Sequence, residues 1–382
     1  MARDVEIRIV ESLSGVDPSA WNTLAGDHPM LSYAFLHALH ETGCASAESG
    51  WLPQYITAWE GKALVGAMPL YLKSHSYGEY IFDWAWADAY QRNGLSYYPK
   101  LLSAIPFSPV SAPKVLAVDN QVRMRLPKAA LKVAREASSL HVLFPTVEEL
   151  ELFEGERMLT RRGMQFHWFN GGYSSFDDFL SRFSHDKRKK IKQERRKVRD
   201  AGISFKWLVG AEITTAHWAF FNRCYRSTYR AHHSSPYLNL DFFHEIGAKL
   251  PDNLLMVLAE ADGKPIAAAF NIFNQTTLYG RYWGTTGFHS GLHFEACYYQ
   301  AIEFCIARGI RIFEGGAQGE HKLARGFTPV ETRSAHWLRH PQFAAAIERF
   351  LDNEAKGVAH YIDELNEHSP FKAVEAPTAG DG

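Results

Sequence analysis

The run Glu60-Gly61-Lys62-Ala63-Leu64-Val65-Gly66-Ala67 returns about 200 residues later as Asp262-Gly263-Lys264-Pro265-Ile266-Ala267-Ala268-Ala269. In each run an acidic residue and a glycine make a tight turn, and a lysine opens an apolar strand. The surroundings follow one order. Around the first turn the patterns predict a strand over 5–10, a helix over 29–42 and strands over 54–60, 63–73 and 79–86. A helix over 127–139, a strand over 141–144, a helix over 147–158 and a strand over 164–168 follow. Around the second they predict helices over 217–230 and 241–250 and strands over 254–261, 264–274 and 277–283. A helix over 294–308, a strand over 310–313, a last strand over 333–338 and a long helix over 341–368 complete it. A repeat of this length with its elements in one order means a duplicated domain, not a short-period array. At 382 residues the chain is also too long for one typical core.

Gly171-Gly172 marks the break between the halves. The expected domains are 1–168 and 169–372, followed by a flexible tail over 373–382.

With 46% hydrophobic and 22% charged residues the chain is an ordinary folded protein. The net charge of −1 leaves any polyanion site to local clustering. Cys44, Cys224, Cys297 and Cys305 form no Cys-x-x-Cys pair, which argues against a zinc site or disulfide framework and for a reducing compartment. The first residues carry charge where a signal peptide needs an apolar run, and no stretch is apolar for long enough to span a bilayer. A cytoplasmic protein without a membrane span is expected. No metal is expected either, because no His-x-x-x-His pair stands beside a carboxylate ligand on one helix face and the neighbours His232 and His233 point to different sides of most elements.

Residues 184–202 have the most unusual composition. Lys187, Arg188, Lys189, Lys190, Lys192, Arg195, Arg196, Lys197 and Arg199 are opposed only by Asp186, Glu194 and Asp200. Ile191 and Val198, seven apart, are the only large apolar residues, so this is a helix with one narrow buried stripe, ended by Gly202. Its charges form either a solvated face or a phosphate-contacting surface. Arg188, Arg195 and Arg199, spaced by seven and four, are the phosphate-binding candidates.

Residues 314–327 are the densest stretch of chemistry. Glu314, Glu320, His321, Lys322 and Arg325 share fourteen positions with four glycines, and an apolar strand runs straight into them. Open α/β sheets place ligands at such carboxyl ends of strands. The crowded run from Asp83 through Trp86 to Arg92, with its acids, indoles and phenol, is a second candidate ligand surface.

Each half thus reads as helices, a meander of antiparallel strands, a central helix and a further strand. That order resembles the GNAT acyltransferase fold in tandem. Leu278-Tyr279-Gly280-Arg281-Tyr282-Trp283, the helix ending at Gly309, Phe313-Glu314-Gly315-Gly316 and His321-Lys322-x-x-x-Gly326-Phe327 resemble FemABX-type aminoacyl and acyl transferases. With Lys73-Ser74-His75-Ser76-Tyr77-Gly78 and Asp83-Trp84-Ala85-Trp86 included, roughly residues 25–372 resemble the FemAB-like N-acyltransferases of bacteria. The resemblance implies an α/β (α+β) fold of two GNAT-like domains, each a mixed, mostly antiparallel sheet flanked by helices. It implies transfer of an acyl or aminoacyl group to an amine, with peptidoglycan biosynthesis as a setting. Two departures stand out. His321 replaces the usual aromatic before the lysine, and the pyrophosphate signature of acetyl-CoA enzymes is not intact at Arg281-Tyr282-Trp283-Gly284-Thr285-Thr286.

Such a transfer needs a neutral amine, a base, a polariser for the carbonyl and a grip on the donor. No nucleophile elbow or Ser/His/Asp spacing is present, so direct attack without a covalent enzyme intermediate is the simpler expectation. Glu314 and His321 are the candidate bases, and Lys322 the candidate for holding the oxyanion or a donor phosphate. Arg281, Trp283, Glu295, Tyr298, Arg325, Asp83 and Trp86 are candidates for binding substrate. No cofactor is expected beyond the donor, acyl-CoA or aminoacyl-tRNA. The acceptor is an amine-bearing small molecule or peptide, tRNA is a candidate partner and DNA is not. The competing expectation is a non-catalytic tandem GNAT module that binds RNA or a protein through the basic helix.

Overall fold

The computed structural model describes residues 4–316 and 319–372, so the expected tail over 373–382 lies outside the described residues. An eleven-stranded sheet runs through both halves in the order Ile203–Val209, Leu254–Ala261, Lys264–Phe273, Thr277–Thr285, Ile312–Glu314, Leu159–Phe169, Thr328–Leu338, Ser139–Leu143, Lys100–Ser103, Tyr71–Lys73, Trp51–Pro53. A second, four-stranded sheet holds Glu6–Val10, Tyr55–Glu60, Ala63–Met68 and Leu116–Ala117.

Both repeated runs are antiparallel hairpins, Glu60 facing Ala63 in one and Ala261 facing Lys264 in the other. In the first half the hairpin passes from one sheet to the other. Pro69, which has no N–H, interrupts the strand after Met68, and the Gln54 N–H donates to the Leu70 carbonyl at 2.7 Å across the gap. The elements then mirror each other. In the first half Lys100–Ser103 runs parallel to Ser139–Leu143, and in the second Thr277–Thr285 runs parallel to Ile312–Glu314.

The two halves exchange their next strands. Leu159–Phe169 leaves the first half and pairs with Ile312–Glu314, while Thr328–Leu338 of the second half pairs with Ser139–Leu143. The exchanged strands also pair with each other, Thr328 opposite His167 and Ser334 opposite Arg161, so swapping their roles carries the register onto itself. The core follows: one apolar cluster holds Trp21, Phe35 and Tyr55 of the first half with Phe221, Phe242 and Phe243 of the second.

Residues 79–86 are not the expected strand. Trp84–Arg92 is a helix, because the aromatics that go inside are Trp86 and Tyr90, four apart on one helix face, while Trp84 stays exposed. Among the described residues, no helix is long and apolar enough to cross a membrane.

The strand Thr277–Thr285 sets up the site. It lies beside Ile312–Glu314 only from Thr277 to Tyr279, then runs on alone, opening a gap past Glu314. On its other edge Phe270 faces Tyr282 and Asn271 faces Gly280, which leaves Arg281 as the extra residue of a β-bulge. Helix Thr215–Ala231 covers the outer part so closely that a Cβ on Gly284 would lie 2.2 Å from the Cys224 carbonyl oxygen.

Candidate functional site

Glu314 ends its strand opposite Tyr279 and His167. Its side chain is buried, its Oε2 has no hydrogen-bond partner among the described residues, and burial pushes its carboxyl up to about 8 against the pull of Arg281 and Lys114. The chain then turns through Gly315 and Gly316. A Cβ on Gly315 would lie 2.8 Å from the Phe327 ring and 3.4 Å from the Lys322 side chain, so glycine is what lets that lysine pass.

Lys322 sits on the 3-10 turn Glu320–Arg325, which ends at left-handed Gly326. Its side chain runs back beneath the glycines and donates to the Gly316 carbonyl at 2.9 Å. Burial brings its ammonium down to about 8, with Cys297 opposing. The same turn presents His321, whose Nε2 lies 3.0 Å from the Tyr298 hydroxyl. Arg325 lies 3.4 Å above the Phe294 ring, donates to the His321 carbonyl at 2.6 Å and meets Glu194 at 3.1 Å. Trp283 joins this wall through His293, 5.2 Å from its ring. The helical stretch that supplies Tyr298 is distorted at that point: residues 295–299 form a π turn inside the helix 292–308, a feature frequent at functional sites.

On the first-half side, Arg281 of the bulge and the Tyr282 hydroxyl both donate to the Phe107 carbonyl, at 2.5 Å and 2.9 Å. Phe107 has a left-handed φ of 58°, and nearby Phe144 one of 52°. The Phe144 carbonyl accepts from the Lys114 ammonium at 2.9 Å. Non-glycine residues hold that conformation only where their surroundings over-determine it, and here the fixing contacts meet around Glu314. Lys114 is itself brought down to about 8 by burial, with Glu149 and then Glu314 opposing.

Arg281 therefore lies near Glu314 at the strand end, Lys322 passes under the glycines that follow, and His321, Tyr298, Arg325 and Trp283 cluster around the turn that carries Lys322. Six expected site residues lie elsewhere. Arg195 is not a free phosphate contact: its guanidinium is shared between Glu295 at 2.8 Å and Glu303 at 2.9 Å. Ile191, Arg195 and Val198 fall at i, i+4 and i+7, so Arg195 belongs to the buried stripe, and that spacing was the signal for it. Glu295 is correspondingly buried beneath the basic helix, bonded to Arg195 and Gln300. Arg188 is half-buried and Arg199 exposed on that helix.

Asp83 and Trp86 belong to a closed cluster in the first half. Lys100 bonds Glu79 at 2.8 Å and also Asp83, to which the Tyr97 hydroxyl donates at 2.6 Å. His141 connects Tyr97 to His336, Nδ1 to Nδ1 at 2.7 Å, with Trp86 packed on the His336 ring. All of these are buried, and Asp83 Oδ1 and Glu79 Oε1 have no hydrogen-bond partner among the described residues.

Sequence reasoning missed Lys114 and His293. Lys114 carried a signal, a lone cation inside the apolar run from Val110 to Leu116; His293 carried none.

The model of the FemAB-like family, described as peptidoglycan biosynthesis/recognition, matches residues 12–373. Among solved structures, FemX is 12% identical, with 88% of this chain and 98% of that chain covered at a TM-score of 0.54. L-PGS from Bacillus licheniformis is 10% identical, with 90% and 99% covered at 0.53. The C-terminal domain (DUF2156) of an Agrobacterium fabrum protein is 9% identical, with 86% and 94% covered at 0.54. No curated protein gives a sequence match. At these identities the structural likeness establishes the tandem GNAT-like fold, and the match across nearly the whole sequence establishes descent: the chain belongs to the FemAB-like family.

Proposed function

We propose that the protein is an N-acyltransferase, moving an acyl or aminoacyl group from an activated donor to an amine by direct attack. The observation that carries this reading is the buried Glu314 carboxyl at the carboxyl end of a strand, with one oxygen unpartnered among the described residues. A carboxylate raised to about 8 is basic enough to take a proton from an attacking ammonium group. The Lys322 ammonium, two residues of backbone away at Gly316, supplies positive charge for the oxyanion that forms as the amine adds to the donor carbonyl. Collapse of that adduct expels the donor's alcohol or thiol, and the product is an amide.

Tyr298, His321, Arg325 and Trp283 form the wall along which a substrate would be oriented. The family's description favours an acceptor in the cell envelope, an amine of a peptidoglycan precursor. Aminoacyl-tRNA and acyl-CoA are the two donor classes to compare.

The test is release of free tRNA from aminoacyl-tRNA pools, or free thiol from acyl-CoA pools, in the presence of mixed amines. Amine-dependent release is expected from one donor class, reduced about 100-fold or more by Glu314→Gln. Release that persists unchanged in both Glu314→Gln and Lys322→Ala would overturn the assignment.

A further inference from the structure

With Arg195 turned inward, helix His185–Asp200 still presents Lys187, Lys189, Lys190, Lys192, Arg196, Lys197 and Arg199 to solvent. Lys192 meets Asp177 at 3.0 Å, and the exposed acids of the helix itself are Asp186 and Asp200. In a chain of net charge −1 this is a strong local field.

The loop over 286–291 rides on the last turns of that helix. A Cβ on Gly291 would lie 3.3 Å from the Val198 side chain and 3.9 Å from the Glu194 carbonyl oxygen. The loop carries Phe288, 93% exposed, where the next most exposed large apolar side chain of the described residues, Val147, reaches 65%. A lone protruding aromatic beside a cationic face matches the chemistry of an anionic bilayer surface. The ring enters the boundary between headgroups and acyl chains, and the cations meet lipid phosphates.

We propose that Phe288 and the outer face of helix His185–Asp200 form a peripheral docking surface for anionic lipid membranes. Nucleic acid could use the same cations, but a stacking platform holds its ring flat against the protein. Phe288 has nearly its whole side chain in solvent, which suits insertion. The loop joins the strand that carries Trp283 to the helix that carries His293 and Tyr298, so a docked molecule would hold the candidate site near the lipid surface.

The experiment is co-sedimentation of the full chain with vesicles of phosphatidylcholine alone and of phosphatidylcholine mixed equally with phosphatidylglycerol. Partitioning to the anionic vesicles is expected to exceed that to neutral ones at least tenfold at low salt. Each cation near the surface is worth about fivefold, so the double variant Arg196→Glu and Lys197→Glu should lower partitioning at least tenfold. Phe288→Ser should lower it about tenfold while leaving the melting temperature unchanged. Equal partitioning to both vesicles, or anionic partitioning untouched by Phe288→Ser, would overturn the proposal. So would tight binding of folded RNA, weakened by Phe288→Ser, without vesicle binding.

Discussion

Arg195 donates three hydrogen bonds of 2.8–3.1 Å to Glu295, and the same guanidinium donates two more to Glu303. This ties the basic helix to the helix that carries Tyr298. Removing the arginine leaves Glu295, almost fully buried, without its counter-charge. Arg195→Ala is therefore expected to destabilise the fold by about 3–5 kcal/mol, measured by denaturant unfolding. A loss below about 1 kcal/mol would show that the pair is replaceable.

Glu314 must be ionised to accept a proton, and Lys322 must keep its proton to hold an oxyanion. Burial places both near 8, the first from below and the second from above. The pH profile of kcat/KM should therefore be a narrow bell with its apex near pH 8. Initial rates across about pH 6 to 10 check this, and in Glu314→Gln the rising limb should vanish. A rising limb below pH 6.5 would point to His321, whose imidazole burial lowers from that value, as the base instead.

The same carboxyl bears on stability. Its folded value lies above the ordinary 4.5, so the folded state holds its proton more tightly. Stability is then lost as pH rises from about 4.5 towards 8, at no more than about 1.4 kcal/mol per unit. Glu314→Gln should remove this slope, so the variant gains on the parent as pH rises, read from melting curves. Parallel curves for the two proteins would contradict the buried carboxyl.

Gly315 separates site geometry from folding. A Cβ there meets the Phe327 ring and the Lys322 side chain, whereas one at Gly284 meets backbone of helix Thr215–Ala231. Gly315→Ala is expected to displace Lys322 and lower turnover about tenfold or more, at a stability cost of about 1–3 kcal/mol. Gly284→Ala should cost more stability, since backbone cannot swing aside. Comparing melting temperature and turnover for both variants decides it.

Much of the architecture was legible because it is periodic or carries punctuation. The repeated turns at Gly61 and Gly263 announced two hairpins, Ile191 and Val198 announced a helix with one buried stripe, and Gly315-Gly316 announced a strand end. Local pattern failed where partners are distant in sequence. Nothing near Arg195 names Glu295 or Glu303, about a hundred residues on, and nothing near Asp83 names Lys100 or His141. Trp84 and Trp86 imitate strand alternation, and only Tyr90 shows that the buried period is four. Strand exchange leaves no mark at all, because Leu159–Phe169 would look the same whichever neighbour it joined.

That exchange sets a timetable for synthesis. Ser139–Leu143 receives one of its neighbours only when Thr328–Leu338 has left the ribosome. At the usual 5–20 residues per second the wait is roughly 10 to 40 s, during which the edge at Leu140 and Val142 stands open to any passing strand. The strand bearing Glu314 meets no such delay, since Leu159–Phe169 has already been made when it emerges. The nascent first half is thus the part of this protein whose sheet edge waits for a neighbour during synthesis.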